Sequence, residues 1–166
     1  MDQLQKKLEY AFFDTTLLET AMNHSSYANE HRNEGVESNE RLEFLGDSVL
    51  GFVTAEYLYA RHPGMPEGDL TRIRAALVCE KSLHEAAVKL GLGDHLRLGK
   101  GEDLGGGRQR PSILADATEA VFAAVYLDGG MAAASQMIHR VLLDWQKEEV
   151  VEETTEDAED ISVEEK

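Results

Sequence analysis

Glu40, Glu43 and Asp47 stand at i, i+3 and i+7 in the stretch Ser38–Leu50, and Asp116 and Glu119 stand three apart in a second stretch. On a helix of about 3.6 residues per turn each set projects as one stripe or two adjoining ones. Like charges stacked in this way repel, and carboxylates crowded into a cleft cost stability unless a cation neutralises them. Oxygen-only donors suit a hard ion such as Mg²⁺ or Mn²⁺. If the two helices pack together, Glu43 and Asp47 meet Asp116 and Glu119 around a small cavity. Four carboxylates so placed are what two-metal phosphodiester hydrolysis requires, with the ions about 3.5–4 Å apart on either side of an in-line displacement. Each set taken alone also fits a solvated face, and Glu40, beside a Ser38 or Asn39 cap, also complements the positive end of a helix.

The elements that must carry these acids are helical. The first is expected from about Asn39 to Tyr59, ended by Arg61-His62-Pro63-Gly64. Leu42, Leu45, Val49 and Phe52 take the side opposite the acids. The acidic stripe runs on into Gly51, Thr54 and Leu58, residues suited to protein contact, so the acids should face a cleft. The second helix runs from Pro111-Ser112 to Leu127 and stops at Asp128-Gly129-Gly130. It is apolar almost all round, the mark of a buried central helix, so Asp116 within it needs a charged partner or a metal.

Around these two, the spacing predicts short helices over residues 2–10 and Thr16–Met22, a polar loop from Asn29 to Ser38, and a helix opened by Glu67-Gly68-Asp69. Another is capped by Ser82 and stopped by Gly91, and a last one runs from Ala132 to about Lys147. Residues 91–111, rich in glycine, read as an extended connection whose Arg97, Lys100, Arg108 and Arg110 form the main basic cluster. That cluster fits nucleic-acid contact or an ordinary surface loop. No period-two strand pattern and no repeat is present, so the fold class is all-α.

At 166 residues the chain suffices for one domain with a sizeable core. A single cysteine, Cys79, excludes an internal disulfide, no Cys/His zinc pattern exists, and a reducing, cytoplasmic setting is expected. The polar N-terminus and a longest apolar run of eight residues, Ala120–Leu127, lead us to expect neither signal peptide nor membrane span. A net charge of −16 would argue against a polyanionic partner, but ten of the 32 acids and one of the 16 bases lie in residues 148–166. That segment is expected to be an acidic, disordered tail, which makes whole-chain charge a poor guide to partners.

Asn39-Glu40-Arg41-Leu42-Glu43-Phe44-Leu45-Gly46-Asp47-Ser48 resembles the signature of the ribonuclease III endonuclease domain. His24–Glu30, Glu67–Arg74 and Ser112–Ala120 match further segments of that domain in order, so the resemblance covers roughly residues 4–147. It implies a homodimeric helical nuclease domain over residues 1–147 that cleaves double-stranded RNA with Mg²⁺, needs no small-molecule cofactor, and leaves 5′-phosphate and 3′-hydroxyl ends. By the same resemblance Glu43, Asp47, Asp116 and Glu119 would ligate metal, with Asp47 and Glu119 the most directly catalytic. Glu40 and Glu67 would have supporting roles, and Phe44 would insert into the partner subunit. Ribosomal precursors are the expected kind of substrate. A non-cleaving RNA-binding or ribosome-associated module on the same fold is the alternative. Family members commonly continue into a double-stranded-RNA-binding domain, which the acidic residues 146–166 do not resemble.

Overall fold

The computed structural model describes residues 1–144. The helices are α1 (Asp2–Leu8), α2 (Thr15–Ala21), α3 (Ser25–Glu30), α4 (Glu40–Arg61), α5 (Glu67–Leu77), α6 (Glu80–Leu90), α7 (Lys100–Leu104) and α8 (Pro111–Ile138). Among the described residues no strand forms beyond an isolated bridge between Asn23 and Arg97, in keeping with the all-α expectation.

The core is built around α8, which packs most extensively on α4, then on α6 and α2. From Ile113 to Val125 every residue of α8 except Asp116 and Glu119 is buried. The length and apolarity of α8 alone would suit a membrane crossing, and its enclosure by α2, α4 and α6 accounts for them instead. Phe122, Leu50, Leu18, Leu4, Met137 and Ile138 are fully enclosed, each such side chain contributing about 1.5–3 kcal/mol by leaving water.

α8 does not stop at Leu127. It continues to Ile138 across a kink at Gly130, whose φ of 86° and ψ of 179° only glycine adopts readily, and then passes into a wider π-turn, His139–Leu143. The Gly-Gly pair therefore marks a bend between two consecutive helical stretches rather than a loop. Asp128 beside the bend accepts hydrogen bonds from the Tyr10 hydroxyl (2.6 Å) and from the main-chain N–H of Phe13 (3.0 Å) and Asp14 (2.8 Å). Beyond it, Arg140 donates to the carbonyl of Leu8 at the end of α1 and pairs with Glu9 at 2.8 Å.

Three local expectations are corrected. Phe52 is 54% exposed, because α4 meets α8 through Leu42, Gly46, Val49, Leu50 and Val53, with Thr54 and Leu58 also buried. The buried arc of α4 thus adjoins the acids instead of opposing them. Residues 91–111 are not extended: they turn through Leu92–Asp94, α7 and Gly107–Gln109. Ser82 does not cap α6, which begins two residues earlier after Cys79; its hydroxyl instead donates to the Ala76 carbonyl. The expected end of the last helix near Lys147 and the acidic segment 148–166 lie outside the described residues.

Candidate active site

The acids of α4 and α8 meet because the two helices cross with almost nothing between them. Gly46 supplies the crossing point: a Cβ there would lie 2.5 Å from the carbonyl carbon of Glu119 and closer still to its oxygen. That contact sets Asp47, the next residue, beside Glu119, and Glu43, one turn earlier, beside Asp116. Each pair is hydrogen-bonded side chain to side chain.

The proximity is written in the protonation of the groups. Glu119 is pushed up to about 8, first by burial and then by the charge and hydrogen bond of Asp47, with Glu43 and Asp116 adding to it. Glu43 is raised to about 7 by burial, by Asp116, and by Glu40 and Asp47. Asp116 is also raised by burial, and it accepts the proton held on Glu43. Glu43 and Glu119 thus hold protons that such groups ordinarily release. A donor set made only of carboxylate oxygens, deprived of counter-charge, fits a hard divalent ion in place of those protons. Among the described residues no three metal-binding side chains converge on a single point.

Glu40 lies at the exposed start of α4 within the field of Glu43 and of His24. Glu67 is not in the cluster. It opens α5 in a groove of about 460 Å³ with Phe52, Tyr59, Leu70, Thr71 and Arg74. Phe44 is 80% exposed and borders a cleft of about 850 Å³ that Leu17, Thr20, Arg41, Leu45 and Leu127 also line.

The four bases do not form one free patch. Arg108 turns inward, donating to the carbonyls of Gly93 (3.0 Å) and Leu96 (2.6 Å) and pairing with Asp103 at 2.9 Å. Arg110 pairs with Glu102. Lys100 is exposed, and among the described residues no acid pairs with it or with Arg97. Sequence reasoning assigned no role to His24, which the structure sets in the field of Asp116 and Glu40. A proximity between residues more than 90 positions apart leaves no local signal.

With this geometry in view, comparison with known proteins is informative. A family model described as Ribonuclease-III-like matches residues 14–145. Ribonuclease 3 of Caldanaerobacter subterraneus subsp. tengcongensis is 57% identical over 145 residues, covering 87% of this chain and 61% of the relative. Ribonuclease 3 of Symbiobacterium thermophilum is 56% identical over 135 residues, covering 81% and 56%. The chain therefore spans about three fifths of the length of the curated relatives it matches. Among solved structures, a nuclease domain of ribonuclease III from Campylobacter jejuni, described for structural flexibility in a region involved in dimer formation, superposes with a TM-score of 0.79. It is 41% identical, over 84% of this chain and 94% of that one. Sequence over most of the chain and fold over nearly all of a solved nuclease domain agree, and the chain belongs to the ribonuclease-III-like family.

Proposed function

We propose that residues 1–147 form a Mg²⁺-dependent endoribonuclease domain that hydrolyses double-stranded RNA, leaving 5′-phosphate and 3′-hydroxyl ends. The observation that supports this best is the meeting of Glu43 and Asp47 with Asp116 and Glu119, close enough that Glu43 is raised to about 7 and Glu119 to about 8. These four side chains would hold divalent ions, with Mn²⁺ able to replace Mg²⁺. Such ions supply an activated water and neutralise the charge that develops on the leaving oxygen. The protein's part is to hold the carboxylates at fixed spacing on two packed helices, to release the shared protons, and to present the cluster to a phosphate backbone. Asp47, the most exposed of the four, and Glu119 stand nearest the chemistry. Glu40 supports the cluster electrostatically, and Glu67, distant within one chain, would reach a site only across a subunit boundary.

The domain would act as a homodimer, since two sites on one duplex cut both strands and a two-fold interface pairs one patch with itself. Phe44, a large aromatic side chain left 80% exposed beside an apolar cleft, is suited to anchor that interface. Arg97 and Lys100 would meet phosphates. Structured RNA in the cytoplasm, ribosomal precursors included, is the substrate class we assign.

Incubating the purified chain with a long perfect RNA duplex, with and without Mg²⁺, tests the reading. Cleavage that needs Mg²⁺ and disappears in Asp47→Ala and Glu119→Ala is expected. Binding without cleavage at any Mg²⁺ concentration would make the chain an RNA-binding module.

A further inference from the structure

Arg108 and Arg110, two residues apart, are held by neighbouring acids of α7 in different ways. The Arg108 guanidinium meets both oxygens of Asp103 (2.9 and 3.2 Å) and donates to the Gly93 and Leu96 carbonyls, so its donors are engaged within the protein. Arg110 has Glu102 and, beyond it, a 3.4 Å contact with the Gly105 carbonyl. Its side chain is 45% exposed, whereas that of Glu102 is 24% exposed. Glu102 lies across Gly107, where a Cβ would stand 2.8 Å from its Cγ, and this packing aims its carboxylate at Arg110. No residue of α7 is buried, so swinging that carboxylate away uncovers no apolar core. The pair sits at the head of both acid-bearing helices. Arg110 is the N-cap of α8, about 9 Å before Asp116 and about 14 Å before Glu119 along the axis. α7 is joined to α3 by the N–H of Gly99, which donates to the Ser26 hydroxyl (2.8 Å), and by that of Lys100, which donates to Glu30 (2.9 Å). Just before it, the Arg97 carbonyl accepts the His24 N–H (3.1 Å), and the Asn23 carbonyl accepts the N–H of Asn39 at the start of α4 (2.7 Å).

We propose that Arg110 is a binding site for a backbone phosphate of the substrate, closed in the free protein by Glu102: the phosphate takes the place of the carboxylate on the guanidinium. This rests on the reading of the chain as a nuclease for duplex RNA. A planar guanidinium suits the exchange, since it offers either anion two parallel N–H donors. Ion pairs as exposed as this one are weak, so the carboxylate yields readily. Arg108, anchored by two carbonyls, takes no part. The device also selects for a polyanion. A single small anion gains little by replacing a tethered carboxylate, whereas a duplex already engaged at Arg97 and Lys100 presents its next phosphate at high effective concentration.

Duplex affinity without cleavage, measured on the full chain by fluorescence anisotropy in Ca²⁺, tests this in single and double variants. Glu102→Gln keeps the packing on Gly107 and removes the charge. It is expected to bind a labelled RNA duplex about two- to fivefold more tightly than the parent at low salt, the range that an exposed ion pair sets. Asp103→Asn frees Arg108, which its carbonyls keep turned inward, and is expected to leave affinity unchanged. Arg110→Gln should flatten the log–log salt dependence by about 0.7–0.9, and adding E102Q to it should bring no gain. Equal gains in E102Q and D103N would mean that α7 merely repels RNA, and overturn the proposal. So does a gain from E102Q that survives in R110Q, or an E102Q that binds like the parent. If R110Q melts below the assay temperature, the contrast between E102Q and D103N decides alone. A parent chain that binds no duplex at low salt overturns the duplex reading itself, and this inference with it.

Discussion

Gly46 of α4 lies against the main chain of Glu119 of α8, with no room between them for a methyl group. The obstacle is a carbonyl of a buried helix, which cannot swing aside as a long side chain would. Gly46→Ala must therefore separate the helices and draw Asp47 away from Glu119. We expect a destabilisation of about 1–3 kcal/mol from overpacking, reduced by the better helix propensity of alanine. Cleavage should fall further than the folded fraction does. Urea unfolding alongside duplex cleavage well below the transition checks this; a variant with parental stability and turnover would show that the crossing tolerates the methyl.

The raised carboxyls make a prediction about pH. Glu119, ordinarily at 4.5, is pushed up to about 8, and Glu43 to about 7, so the fold favours their protonated forms. The associated stability is complete below about pH 4.5 and is lost as pH rises through about 7–8. In chelator, Glu119→Gln should therefore unfold a few degrees above the parent at pH 8, with the gap closing toward pH 5. Parallel melting temperatures across that range would remove the electrostatic account. Added Mg²⁺ should reverse the order at pH 8, since the parent alone keeps all four ligands.

Arg108 and Lys100 should respond differently to replacement. Arg108→Ala removes charged donors to the Gly93 and Leu96 carbonyls, so it should lower stability by about 1–3 kcal/mol and alter RNA affinity little once folded. Lys100→Ala should leave stability unchanged, weaken duplex binding, and flatten the log–log salt dependence by about 0.7–0.9. Fluorescence anisotropy with labelled duplex in Ca²⁺, at several salt concentrations, gives both quantities.

Phe44→Ala should weaken self-association at least tenfold, as loss of an interface anchor costs about 2 kcal/mol or more, and should leave the unfolding of the isolated subunit nearly unchanged because the ring is 80% exposed. Light scattering across a micromolar dilution series reads the first. A parent chain that scatters as a monomer throughout would remove the dimer from the proposal.

Much of this was legible in the sequence where it depended on periodicity. The first acid-bearing helix, expected from Asn39 to Tyr59, spans Glu40–Arg61. The convergence of Glu43 and Asp47 with Asp116 and Glu119 follows from their spacing and the apolar faces around them. What the sequence hid depends on contacts between distant segments. Arg108 looks like a free base until the carbonyls of Gly93 and Leu96 turn toward it. Phe52 looks like core until the crossing at Gly46 shows which arc of α4 is covered. Gly130 announces a break, yet nothing local tells whether the chain leaves its axis or resumes a helix beyond it.

The ties from the N-terminal segment to the late part of the chain bear on the order of folding. Tyr10 is bound to Asp128 and Leu8 to Arg140, across 118 and 132 residues, and α8, the helix on which the core is assembled, begins only at Pro111. Until α8 emerges, the apolar faces that α2, α4 and α6 turn toward it lack that partner. Loop closure over such distances is slow compared with forming the helices themselves. The domain therefore condenses only when residues around 140 have cleared the ribosome.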